Sequence, residues 1–123
     1  MNKICTSIEQ SKKLIELGID VNTADMFWDM AEPDKRRKPL VGPISDYYDM
    51  EDWAVPAWSL TALLKYLSEI KPQVYTQVLF PSEGKWILQF VEYGNGNVCE
   101  VSCDNPVDAC VTLIEKLHKL KML

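Results

Sequence analysis

Apolar residues recur at helical spacing in three stretches of this chain and alternate in three others, and the two periods divide it into elements. The clearest helix runs from 59 to 70. Leu60, Leu63, Leu64, Leu67 and Ile70 fall on one stripe. Ser59 is suited to cap its N-terminus, because a hydroxyl can accept from an amide two or three residues on. Pro72 lies beyond the end, where it cannot extend the helix. The approach to this helix is Ala54-Val55-Pro56-Ala57, bracketed by Trp53 and Trp58. A first helix is expected over 6–17, with Thr6 and Glu9 at capping-box spacing. Ile8 and Ile15 share a face there with Leu14 beside it, and Gly18 follows as a left-handed stop. A last helix is expected over 105–121. Asn105 is its cap, Pro106 its first residue and Asp108 the acid of its first turn. Cys110, Leu113, Ile114, Leu117 and Leu120 form its buried stripe, and Lys116, Lys119 and Lys121 suit its C-terminal end.

Between the last two helices the period changes to two. Val74, Thr76, Val78 and Phe80 alternate, and Pro81-Ser82-Glu83-Gly84 reads as a turn. The strand from Lys85 to Tyr93 sends Trp86, Leu88 and Phe90 to one side and Ile87 and Val91 to the other. Apolar on both faces, it suits the centre of a sheet. Gly94-Asn95-Gly96-Asn97 is a hairpin signal, and Val98 to Cys103 is the third strand. Residues 23–30 read either as a short helix capped by Thr23 or as a strand with Met26, Trp28 and Met30 on one face; Phe27 and Trp28 favour the strand. Residues 31–52 are irregular, with three of the seven prolines (Pro33, Pro39, Pro43), and Pro39 to Ile44 is the stretch that suits an edge strand. The fold class is therefore α+β: a three-stranded antiparallel meander covered by three helices, with one or two extra edge strands drawn from 26–44.

Composition narrows the class. A chain of 123 residues, 47% hydrophobic and 25% charged, fits one globular domain over 1–123 with a core of its own. No apolar run reaches the roughly 18 residues of a membrane span. The first residues carry no continuous apolar region, so the expected setting is the cytoplasm. A net charge of -5 argues against a nucleic-acid partner, whose binding depends on neutralising phosphates. Four of the 13 basic residues stand together as Lys35-Arg36-Arg37-Lys38, a run that reads more readily as a solvated loop tip than as a phosphate contact.

Candidate chemistry is sparse. The four cysteines are Cys5, Cys99, Cys103 and Cys110, expected as free thiols in a reducing compartment. Cys99 and Cys103 are separated by about 13 Å along one strand, too far to share a zinc ion, so neither metal nor cofactor is expected. His118, the sole histidine, lies late on a helix among lysines and reads as a surface residue. No nucleophile elbow is present. Gly94 to Asn97 lacks the helix and Lys-Ser/Thr of a phosphate loop. The acidic run Asp46, Asp49, Glu51 and Asp52 lacks calcium-loop spacing. No catalytic residue is assigned.

The aromatics say more. Six of the chain's aromatics, Phe27, Trp28, Tyr47, Tyr48, Trp53 and Trp58, lie within 27–58. Tyr47 and Tyr48 stand amid acids, as on recognition surfaces. The binding candidates are Tyr47, Tyr48, Trp53, Trp58, Asp46 and Asp49, set against the plainer reading that the rings pin the segment to its own domain. Three strings, Ser11 to Gly18 continuing to Thr23-Ala24-Asp25-Met26, Val55-Pro56-Ala57-Trp58-Ser59-Leu60, and Asp104 to Cys110, together resemble small uncharacterised proteins encoded by phages, prophages and mobile elements of gut bacteria. The resemblance implies a bacterial or phage cytoplasmic setting and carries no activity and no residue roles. Two functions follow as expectations. One is a non-enzymatic accessory protein acting by protein–protein contact. The other is a ligand-binding or enzymatic domain with a pocket between residues 31–58 and the sheet.

Overall fold

The computed structural model describes residues 3–30, 39–42 and 54–123. In chain order the elements are α1 (Ile8–Glu16), a 3-10 turn at Val21–Thr23, β1 (Met26–Asp29), β2 (Pro39–Val41), β3 (Ala54–Ala57), α2 (Leu60–Ser68), β4 (Tyr75–Ser82), β5 (Lys85–Glu92), β6 (Gly96–Cys103) and α3 (Pro106–Lys119). The fold is α+β. Its strands form two antiparallel sheets, ordered β2-β1-β3 and β4-β5-β6. The chain divides into two compact units, Ile4–Ala62 and Met1–Lys3 with Leu63–Leu123, and the division falls inside α2.

In the unit of Ile4–Ala62, the strands expected as additions to the meander make a sheet of their own. Its third member is β3, the stretch read from sequence as the approach to a helix. Phe27 pairs with Leu40 on one side and Pro56 on the other. Met26 and Phe27 are both buried, as the central position of β1 requires. Proline has no N–H for a ladder and is confined to sheet edges, and Pro39 and Pro56 sit on the two edge strands. The sequence pattern shows β1 and the Pro39 strand, and Pro56 is why it conceals β3.

Helix α1 also departs from expectation at its start. Its capping box is Ser7 with Gln10, not Thr6 with Glu9. Thr6 is fully buried and its hydroxyl is engaged elsewhere, so the cap falls to the next residue. The buried face of α1 is Ser11 and Leu14, while Ile15 is exposed. The helix closes as the glycine suggests. Gly18, at φ +91, donates to the Ile15 carbonyl and Ile19 to that of Leu14, the paired bonds of a Schellman motif.

In the unit containing Leu63–Leu123, local pattern and fold agree closely. Leu88 pairs with Leu79 and Val101, and Phe90 with Gln77 and Cys99. The β4–β5 turn is shorter than expected. Pro81 and Ser82 remain in the strand, and only Glu83 and Gly84 form the loop, both with positive φ. That geometry is the two-residue turn whose twist matches a hairpin. Along β6 the register slips by one residue at Phe90/Val91. Helix α3 packs on β5 and β6, and its Leu113, Ile114 and Leu117 are fully buried. Asn105 caps it by accepting from the Asp108 amide at 2.9 Å. Lys3 reaches the same turn, 2.7 Å from Asp108. On α2, Leu63 and Leu67 are buried, whereas Leu60, Leu64 and Ile70 are half-buried.

Candidate functional site

Of the residues named from sequence as binding candidates, Tyr47, Tyr48, Trp53, Asp46 and Asp49 lie outside the described residues. Trp58 is described, and it is a core residue: its ring is fully buried and its indole N–H donates to Thr23 Oγ1 at 2.9 Å. A ring so enclosed presents nothing to a partner, which corrects its place among the binding candidates. Trp28 likewise serves the fold, donating from Nε1 to the Thr6 carbonyl at 2.9 Å.

These two tryptophans belong to a polar clasp that closes the unit of Ile4–Ala62. Thr6 is its hub. Its amide donates to the Trp58 carbonyl, and its own carbonyl accepts from Trp28. Its hydroxyl accepts from the Trp58 amide at 3.0 Å and shares a hydrogen bond with Ser11 Oγ at 2.8 Å. Asp25 is the second anchor: one carboxylate oxygen accepts from the Ser59 amide at 2.9 Å and the other from the Ser59 hydroxyl. Ser59 Oγ in turn accepts from the Ala62 amide at 3.2 Å, the N-cap expected from sequence. A Ser–Asp pair invites comparison with a nucleophile and its base. Here the serine proton is committed to Asp25 and an oxygen lone pair to a helix amide, with no histidine between them, so the pair is a cap and strut. Sequence reading misses Thr6, Thr23 and Asp25 in these roles. Thr6 and Trp58 are 52 residues apart, and no local period connects them.

The thiols are structural. No disulfide joins the four cysteines. Cys99 and Cys103 point the same way as Val101, toward the buried side of the meander. Burial pushes the Cys110 thiol up to about 12, with Cys103 adding to the shift. Burial also raises Cys99, against an opposing pull from Lys116. Such thiols are poor nucleophiles, since the thiolate is the reactive form. Cys103, half-buried, lies 3.5 Å from Thr112 Oγ1. His118 is exposed on α3. Among the described residues, no group of three or more His, Cys, Asp and Glu side chains could hold a metal ion, and no helix is long and apolar enough to cross a membrane.

One surface stands out. Side chains alternate across a strand, so with Leu88, Phe90, Cys99 and Val101 buried, the opposite face of the β4-β5-β6 sheet is set by register. It consists of the cross-strand rows Thr76–Val91–Asn97, Val78–Gln89–Glu100 and Phe80–Ile87–Ser102. Val78 is 43% exposed, and Phe80, Ile87 and Val91 are half-buried. The apolar positions gather on β4 and β5, and β6 contributes polar ones. Glu100, exposed, accepts from Gln89 at 2.7 Å and from Asn97 at 3.4 Å. At one end Lys85 pairs with Asp104, which raises the lysine's pKa through that hydrogen bond. At the other, Glu92 accepts from Asn95 at 2.9 Å. No family model matches the chain, and the searches of curated proteins and of solved structures give no match either.

Proposed function

We propose that this protein is a non-enzymatic interaction module, and that the outer face of the β4-β5-β6 sheet is the surface a partner protein occupies. The observation that carries the reading is β5. It is apolar on both sides, with Leu88 and Phe90 fully buried on one and Ile87 and Val91 only half-buried on the other. Strands that are apolar on both faces belong in sheets covered on both faces. The hydroxyls and carboxylate of the clasp are consumed in holding the fold, which supports a binding role over a catalytic one. The aromatic and acidic run at 46–53 is a separate candidate contact, proposed on sequence grounds alone. The accessory role in a phage or mobile element is also proposed, and rests on the resemblance alone.

A photo-reactive amino acid placed at Val78 tests this in the cell that makes the protein. It should yield a cross-link to a single protein identifiable by mass spectrometry. The same group at Thr112, exposed on α3, should not. Equal capture from both positions, or none from Val78, overturns the assignment of this face. The tyrosines are tested separately: Tyr47→Ala with Tyr48→Ala should keep the wild-type melting temperature and reduce the partner protein captured from the native cell, whereas a lowered melting temperature with unchanged capture would return that segment to a purely structural role.

A further inference from the structure

We infer that Asn95 is a self-modification site, at which the hairpin between β5 and β6 converts an asparagine to aspartate and isoaspartate without an enzyme. The inference is independent of the interaction reading above. Asparagine is lost when the backbone nitrogen of the next residue attacks the side-chain carbonyl carbon, and a glycine in that place leaves the nitrogen unscreened. Gly96 follows Asn95, at φ +92, and a Cβ built on it would meet nothing within 4 Å. Residues 93–98 are all exposed, so water reaches the group. The attack needs the Glu92–Gly96 rung to open. That rung is the last of the ladder, beyond the slip in register at Phe90/Val91, and rungs at loop tips open most readily. A bond forms between Asn95 Cγ and the Gly96 nitrogen, the Cγ–Nδ2 bond breaks, and ammonia leaves with Nδ2 and the Gly96 amide proton. Water then opens the cyclic imide. Cleavage at Cγ gives aspartate; cleavage at the main-chain carbonyl gives isoaspartate, whose backbone is longer by a methylene. Either product replaces the donor that Asn95 Nδ2 offers Glu92 Oε1 at 2.9 Å with an acid, setting two carboxylates together. The structure distinguishes Asn95 from the other described asparagines. Asn97 precedes the β-branched Val98, and its carboxamide is held at both ends, accepting from the Cys99 amide at 3.1 Å and donating to Glu100 at 3.4 Å. Asn105 precedes Pro106, which has no N–H to lose. Asn22 precedes Thr23, whose amide is bonded to the Asp20 carbonyl at 3.0 Å.

The test follows the purified full chain, incubated at body temperature and near-neutral pH, by peptide mapping with mass spectrometry. Isoaspartate is detected by enzymatic methylation of its free carboxylate. Asn95 should convert roughly tenfold faster than Asn97 or more, with isoaspartate in excess over aspartate. The rate should rise with pH, because the attacking nitrogen must give up its proton. Asn22 and Asn105 should stay intact over the same period. Asn95→Gln, whose side chain would have to close a larger ring, should abolish the conversion and leave the melting temperature unchanged. Conversion of Asn95 no faster than that of Asn97, or only after the chain is denatured in urea, overturns the inference, since the folded hairpin then protects the amide. Aspartate as the sole product overturns it as well, because direct hydrolysis would then have replaced the cyclic step.

Discussion

The two units of this protein are held together by different physics. Ile4–Ala62 has strands of three or four residues, and its polar side chains do much of the joining. Thr6 alone makes four hydrogen bonds, three of them to the two tryptophans. The other unit has three strands of eight residues and a helix with seven buried residues, and is closed by apolar packing. Among the described residues no buried side-chain nitrogen or oxygen lacks a partner, so the polar solution is complete where it is used. The contrast separates holding from acting. In the first unit the chemically versatile groups are engaged in the fold. In the second, packing consumes one face of the sheet and leaves apolar residues on the other.

The largest effect should come from the apolar unit. Phe90 is fully buried at the centre of β5 and stacked on Tyr75, with ring centroids 4.9 Å apart. Phe90→Ala should cost about 3–5 kcal/mol, the usual loss for a core ring, as measured by chemical denaturation. A loss under about 1 kcal/mol would mean the meander is not packed as described.

In the polar unit, Asp25→Ala should cost about 1–3 kcal/mol, because the Ser59 amide and hydroxyl both lose their acceptor. Asp25→Asn, which keeps one carbonyl acceptor, should recover part of it. If the alanine variant unfolds at the wild-type midpoint, the carboxylate is not a strut.

The buried thiol gives the apolar unit a pH signature. Folded Cys110 holds its proton to about pH 12, against an ordinary value of 9.0. Unfolding above pH 9 therefore releases a proton, and stability must fall as pH rises from about 9 toward 12. The contribution is intact below pH 9. At pH 10 the decline should be roughly 1 kcal/mol relative to pH 8, and Cys110→Ala should flatten it. A wild-type midpoint constant from pH 8 to 10, or an equal slope in the variant, would contradict the assignment.

The smallest effect concerns the β4–β5 turn. Glu83 sits at φ +50 before Gly84, where asparagine tolerates the left-handed conformation better. Glu83→Asn should stabilise by about 0.5–1 kcal/mol, and a loss of stability would indicate that the glutamate makes a contact the hairpin needs.

The same division explains what the sequence discloses. The meander, Asn105 as a cap, the buried stripe of α3 from Cys110 to Leu117 (the expected Leu120 is 53% exposed) and the Schellman end of α1 are all local. Each follows from a period or a residue within a turn of its effect. The second sheet is not local. Its β1 and β2 are legible within 26–44, but Pro56 suppresses the strand signal of β3, which pairs with β1 across 27 residues of sequence in Trp28 with Val55. Thr6 reads as a helix cap because the Thr-x-x-Glu spacing is right, and only the distant Trp58 reveals why Ser7 takes that role. Trp58 reads as a recognition aromatic because burial cannot be seen in a list of residue types. The outer face of the meander is visible in the alternation of Ile87 and Val91, but the place of Gln89 and Glu100 beside Val78 emerges only from the register.

The claim most open to direct test is that hydroxyl bonds, and not packing alone, close the first unit. Thr6→Val keeps the branched shape and deletes the hydroxyl, which accepts from the Trp58 amide at 3.0 Å and bonds Ser11 Oγ at 2.8 Å. Amide hydrogen exchange at Trp58, compared with Phe90 in the same sample, reads the result. Exchange at Trp58 should accelerate at least tenfold, about 1.4 kcal/mol, with Phe90 unaffected. Unchanged protection at Trp58 would show that packing suffices and that the clasp is incidental.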